Sequence, residues 1–355
     1  MSRADDHADD LSVHELIEGP TEVISAAELA AVRAAGPAGP DPVTEETHDL
    51  SGYARPSDQG DPDNPGGRAA VELPRLPQAG PLYRRALLGA LPGAGRRRGD
   101  VLPGVELTVA GVTVDRAHLA DYDRVCGFRL TDRLPATYPH VMGFPLALRL
   151  MTAPEFPMPL VGLVHVANRI TVHRPVGAGE TLDFRAYAED LRPHDRGRQV
   201  DVVLVGSVGG EEVWRGVSTY LGRERAAGGG ERRDRGERGE RPPAPAATAH
   251  WRVTPRVGTD YARVSGDHNP IHTSRLGARL FGFPRPIAHG MWSKARCLAA
   301  LESRLPDAYT VDVAFKLPVP LPSTVALSAT ADGAAWAFAL HDARTGRPHL
   351  AGAVR

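Results

Sequence analysis

Tyr122-Asp-Arg-Val-Cys-Gly-Phe128 and Tyr261-Ala-Arg-Val-Ser-Gly-Asp267 are two copies of one pattern within a chain of 355 residues. Downstream of each, Tyr138-Pro-His-Val-Met142 aligns with Ile287-Ala-His-Gly-Met291, and His173-Arg-Pro-Val176 with Lys316-Leu-Pro-Val319. Three anchors recur in the same order, so the chain carries an internal duplication. Each copy reads as a strand, a short helix holding the tyrosine, a loop, a longer apolar helix and a run of alternating strands. In the second copy the long helix is expected from Met291 to about Arg304, with strands at 311–316, 324–328 and 335–340. The first copy offers strands at 163–172, 181–188, 200–208 and 212–221. One apolar helix followed by an antiparallel meander implies an α+β unit, a curved sheet wrapped around the helix. Two such units can join edge to edge.

The flanks read differently. Residues 1–75 are poor in aromatics and rich in Ala, Gly, Pro and acidic residues, too little apolar surface to offset the entropy of ordering. They are expected to be a disordered extension with at most a short helix near Ser25-Ala-Ala-Glu28, or the product of an overlong start-codon assignment. A second biased stretch, 223–248, interleaves Glu and Arg with Gly and Pro and reads as a solvated linker. Its acidic residues weaken any attraction to RNA. The chain thus divides into 1–75, a first repeat over 76–222, the linker 223–248 and a second repeat over 249–355.

A formal net charge of −1 with 24% charged residues gives no field that would favour nucleic acid or an acidic membrane. Only Cys126 and Cys297 are present, too few for a disulfide scaffold or a thiolate metal site. No apolar run approaches the ~18 residues of a membrane span, and the acidic start does not resemble a signal peptide. A cytoplasmic protein is expected.

The densest chemistry lies in Ser265-Gly-Asp-His-Asn-Pro-Ile-His272. Gly266 and Pro270 keep the segment out of regular structure, so Asp267 and His272 can be aimed at one point. A carboxylate titrating near ~4 orients or deprotonates water, and an imidazole near ~6.5 passes a proton at neutral pH. The competing reading is an Asx-turn beside a surface histidine. Gly290 opens the long helix, where a free amide and the helix dipole can meet a developing oxyanion. Alternatively it is small because helix and sheet pack closely there. His289 reads as a buried structural histidine rather than a second base, and His268 as exposed or packing.

Tyr261-x-x-x-Ser-Gly-Asp-x-Asn-Pro-Ile-His272, followed by Gly282-Phe283, Ile287-Ala-His-Gly290 and Phe315-Lys-x-Pro318, resembles the MaoC-type hydratases and dehydratases. That family includes R-specific enoyl-CoA hydratases and (3R)-hydroxyacyl-thioester dehydratases. The resemblance implies a tandem (double) hot-dog, each unit an antiparallel sheet around one central helix. The first repeat would be the degenerate copy and the second the catalytic one. It further implies reversible hydration of an enoyl thioester on CoA or acyl carrier protein, without cofactor or metal. Asp267 and His272 would form the catalytic pair, and Gly290 would donate its amide to the thioester carbonyl. Asn269, Phe283, Ile287, His289 and Met291 would lie against the substrate. Some single-domain relatives carry a supporting serine eight residues beyond the helix-opening glycine; here that position is Leu298.

In the internal alignment Asp267 faces Phe128, His272 faces Arg133 and Gly290 faces Val141. All three chemical positions are lost from the first copy while the scaffold anchors remain, which fits one active site per pseudo-dimeric chain, with a homodimer left open. Met142, Phe144, Leu146, Leu148 and Met151 would then be walls for an acyl tail, or core. The rival readings are a hot-dog thioesterase and a non-catalytic acyl-binding subunit. A thioesterase would place a carboxylate on the long helix, where none precedes Glu302.

Overall fold

The computed structural model describes residues 67–89, 99, 101–223, 246–333 and 335–355. The helix expected near Ser25 and nearly all of the linker lie outside them. In the first repeat, β1 (Ala69–Glu72), α1 (Ala79–Gly89) and β2 (Val105–Thr113) precede α2 (Arg116–Cys126) and the long helix α3 (Tyr138–Met151). Strands β3 (Leu163–Val172), β4 (Thr181–His194), β5 (Gly197–Val208) and β6 (Glu211–Arg223) follow. The second repeat runs β7 (Ala249–Val253), α4 (Arg256–Ser265), the short α5 (Pro270–Thr273) and α6 (Arg275–Leu280), then the long α7 (Gly290–Leu301). Its meander is β8 (Tyr309–Phe315), β9 (Ser323–Asp332), β10 (Ala335–Asp342) and β11 (Pro348–Val354).

All of these strands form one sheet in the order β1-β2-β4-β5-β6-β3-β8-β11-β10-β9-β7. The two units therefore fuse edge to edge, as expected, through antiparallel β3 and β8, with Ile170 opposite Val311. Pairing removes the two inner edges, β3 and β8, that separate sheets would present, and leaves β1 and β7 as the outer ones. The long helices share one continuous core with both halves of the sheet: Leu146, Leu148 and Leu150 from α3, and Ala295, Leu298 and Leu301 from α7. The equivalent tyrosines Tyr122 and Tyr261 face each other with ring centroids 6.3 Å apart. Trp292 donates to the Val125 carbonyl across the same seam at 3.1 Å. Leu146, Leu148 and Met151 are almost wholly buried in this core, in keeping with the packing alternative for the α3 residues.

The first boundary needs correction. Residues 69–72, assigned to the disordered extension, form β1, which pairs in parallel with β2. Val71 is buried against the core, and Arg68 lies 4.1 Å over the Tyr187 ring while pairing with Glu189. A chain beginning at residue 77 is expected to melt several degrees below one beginning at 67. Losing one buried valine costs roughly 1.5–3 kcal/mol, and the ladder bonds add to it. Equal melting temperatures would show that β1 adds nothing.

Candidate active site

Helix α4 ends at Gly266, whose left-handed backbone (φ 71°) is a conformation glycine adopts without strain. The next residue, Asp267, is thereby turned away from the helix. Gly127 ends α2 in the same conformation (φ 82°), so the scaffold of the turn is kept in both repeats while its chemistry is not. Asn269 then caps α5, its side chain accepting from the Ile271 amide, which is the Asx-turn foreseen for this string. Pro270 starts α5 where a missing N–H costs nothing. His272 follows within one turn, its backbone so close to α4 that any side chain at Gly258 would overlap the His272 carbonyl.

His272 is buried, not on the surface, and its Nδ1 lies 2.8 Å from the Ile287 carbonyl oxygen. A carbonyl only accepts, so Nδ1 carries the proton and Nε2 presents a lone pair. Burial lowers the His272 pKa from its ordinary value, with the Asp267 charge opposing, so the ring is neutral at pH 7. His289 stacks on it at 3.7 Å between centroids. The His289 Nε2–H donates to the backbone carbonyl of Asp267 at 3.0 Å, and Nδ1 is buried without a partner. Burial and the neighbouring His272 push His289 down to about 3, so it is a neutral bracing group, as expected.

Asp267 is the charged member. Burial pushes its carboxyl up, but His289, His272, a hydrogen bond from Tyr83 and the Asn269 amide outweigh it and hold the pKa below the ordinary value. Tyr83 Oη donates to Oδ1 at 2.5 Å, and the Asn269 amide reaches the same oxygen at 3.2 Å. The side chain keeps 29% of its surface exposed, so a substrate can reach it. Asp267, His272 and His289 each bring a potential ligand atom within 4.8 Å of one another. Both histidines commit one ring nitrogen to a carbonyl and keep the other, Nε2 of His272 and Nδ1 of His289.

Gly290 is the first residue of α7, with His289 as its N-cap, so its amide has no intrahelical partner. A Cβ here would come within 3.1 Å of the Phe315 ring, so the packing alternative for this glycine also holds. In the degenerate copy the long helix starts three aligned positions earlier, at Tyr138. Val141 is therefore inside the helix ladder, and its amide is consumed there. The first repeat has lost its free amide at this position through helix extension, since valine itself keeps the N–H.

The other expected site residues separate. Ile287, His289 and Met291 have almost fully buried side chains beside Asp267, His272 and Gly290. Asn269 and Phe283 are half-buried; Phe283 closes the turn after α6 with its amide on Ala278. His268 is exposed. Sequence reasoning missed three contributors from the degenerate half. Tyr83 comes from α1, His165 from β3 and Tyr220 from β6. The His165 ring stacks on Tyr220 at 4.7 Å and lies 5.0 Å from Phe315, the ring beneath Gly290. No local signal marks them, because each reaches the site only through sheet fusion.

Residues 240–351 match the family model described as MaoC like domain. Over 271 residues the chain is 41% identical to 3-hydroxyacyl-thioester dehydratase X of Mycobacterium tuberculosis, spanning 76% of this chain and 95% of that protein. A crystal structure of M. tuberculosis HtdX aligns with a TM-score of 0.62 at 38% identity, over 70% of this chain and 99% of that one. A MaoC-like dehydratase from Phytophthora capsici shares the fold, with a TM-score of 0.55 at 20% identity over 70% and 94% of the two chains. Fold and relatives together define a double hot-dog enzyme of the hydro-lyase class. The chain belongs to the MaoC-like dehydratase family.

Proposed function

We propose that this enzyme interconverts trans-2-enoyl and (3R)-hydroxyacyl thioesters, on CoA or acyl carrier protein, using Asp267, His272 and the Gly290 amide. The observation that carries the reading is the approach of an ionised carboxylate to a neutral imidazole whose free Nε2 is fixed by the Nδ1 bond to Ile287. The name of the 41% identical relative agrees with it. A thioester acidifies its α-carbon and gathers negative charge on the carbonyl oxygen as the proton leaves. The Gly290 amide meets that charge at the positive end of α7. In hydration, Asp267 and His272 hold one water against the β-carbon, and the pair returns a proton to the α-carbon. In dehydration the same pair removes the α-proton and protonates the departing hydroxyl. The fused sheet already supplies a two-unit scaffold, so the reaction needs no second chain, and we place it in the cytoplasm.

The test is turnover of trans-2-enoyl-CoA, followed by loss of enoyl absorbance, release of free thiol and the handedness of the product. Hydration to the (3R) alcohol supports the reading; thiol release without hydration would replace it with a thioesterase. Gly290→Pro isolates the amide. Proline is tolerated at a first helical position, and His289 (φ −64°, ψ 139°) already has the extended backbone that a residue before proline adopts. Gly290→Ala presses a Cβ against Phe315 but keeps the N–H. Proline is expected to cost ~10²–10³ in kcat, well beyond alanine. Equal losses in both would assign Gly290 to packing alone.

A further inference from the structure

We propose that Tyr83 is a positioning residue for Asp267, so that the degenerate repeat completes the active site of the other. The inference rests on the reading of Asp267 as a catalytic group. Tyr83 lies 184 residues from Asp267 in sequence, outside the repeat that carries the motif. Helix α1 brings it there: Leu82 and Ala86 face the core, and Ala79 lies 3.8 Å from where a Cβ on Gly266 would stand. The start of α1 thus rests on the turn that presents Asp267. Strand β1, immediately before it, ties this segment to the sheet.

The geometry gives the contact a purpose. Tyr83 Oη and the Asn269 amide both donate to Oδ1. Among the described residues the other oxygen, Oδ2, accepts no hydrogen bond; His289 Nε2 stands 3.8 Å from it. A carboxylate pinned through one oxygen cannot rotate freely, and it turns the other toward a reactant. Asn269 alone, at 3.2 Å and in the same turn, fixes the loop more than the carboxylate plane. The phenol supplies the shorter bond, from a separate element. Its own proton is held firmly, since burial and the Asp267 charge raise the Tyr83 pKa well above the ordinary value. Tyr83 is therefore a fixed donor and does not titrate during turnover.

The groups around Asp267 are His272 from α5, His289 ahead of α7, Tyr261 from α4 and Tyr83 from α1. Farther out stand His140 from α3, His165 from β3, Tyr220 from β6 and the exposed His268. Burial lowers His140 to about 4 and His165 to about 3, so neither adds a cation at neutral pH that could replace the phenol. Removing Tyr83 Oη thus leaves the Asp267 charge less supported, and its ionisation moves upward.

Tyr83→Phe keeps the ring and removes only the donor. In the full chain, with trans-2-enoyl-CoA as substrate, kcat is expected to fall about 10-fold or more, the size expected for a hydrogen bond to a charged group. KM should change little. The carboxyl pKa of Asp267, read by carbon NMR on Asp-labelled protein against Asp267→Asn for assignment, should rise by about one unit. The melting temperature serves as the folding control. Unchanged kcat and carboxyl pKa, with Asp267→Asn inactive, would overturn the role of Tyr83 alone. A fall in kcat without the pKa shift would likewise overturn it, as a packing effect. Full activity of Asp267→Asn would instead remove the reading on which the proposal stands.

Discussion

Asp267→Asn and His272→Ala are each expected to lower kcat for enoyl-thioester hydration by ~10²–10⁴, the usual cost of losing a positioned acid–base group. Neither change should unfold the protein. Asp267 is part-exposed at the end of α4, and the amide of asparagine can still accept from Tyr83 Oη. His272→Ala removes a ring stacked on His289, so a modest drop in melting temperature accompanies the loss of activity. Two groups acting on one water work as a unit, and the double variant should be little worse than the poorer single one. The pH dependence supplies a second check. His272 must be neutral to present Nε2, and burial lowers its pKa from 6.5, so activity should fall only as pH drops below that value. The Asp267 charge raises the His272 pKa. Any residual activity of Asp267→Asn should therefore hold to still lower pH. Near-wild-type turnover by either single variant would sink the site assignment, and an acid limb above 6.5 would contradict the burial of His272.

The duplication was legible because it leaves its marks at short range. A tyrosine and a helix-ending glycine recur at the same spacing, a histidine at the start of the long helix follows in the same order, and the two glycines adopt the same left-handed turn. The expected strands emerge with ends shifted by a few residues. Strand β11 was not foreseen, and packing explains why: Gly352 weakens the strand pattern, yet a Cβ there would run into the Phe338 ring. Strand β1 escaped for another reason. Four residues, Ala69–Glu72, gain their pairing from β2, far along the chain, and carry no periodicity of their own. At the candidate site, Asp267 and His272 were legible together because they share one octapeptide, and Gly290 because it opens the long helix that follows. Tyr83, His165 and Tyr220 were not, since their proximity comes from folding one repeat against the other.

Lys294→Met is expected to be the most destabilising single change away from the chemistry. Lys294 is fully buried on α7, one turn beyond Gly290, and its Nζ donates to the Asn168 carbonyl (3.1 Å), Asn168 Oδ1 (2.6 Å) and the Val311 carbonyl (3.2 Å). Asn168 lies on β3 and Val311 on β8, so one side chain ties α7 to both strands of the seam. Asn168 Nδ2 carries the network onward to Ser218 on β6 at 3.1 Å. Methionine fills similar volume but strands Asn168 Oδ1, at roughly 1–3 kcal/mol, and removes two further bonds to carbonyls of the β3–β8 ladder, each about 1 kcal/mol. The sum is about 3 kcal/mol or more, which for a folded body of this size corresponds to a fall of about 6–12 °C in melting temperature. Pairing Lys294→Met with Asn168→Leu removes the side-chain acceptor together with its donor. That double variant should recover part of the loss, because an absent pair is cheaper than a broken one. Thermal unfolding of the single and double variants measures both effects. A shift under 2 °C for Lys294→Met, or no recovery in the double variant, would mean that the seam is held by β3–β8 pairing and apolar packing alone. Because the tie ends one turn from Gly290, a loosened seam should also reach the start of α7. The single variant should then lose kcat even at temperatures where it remains folded.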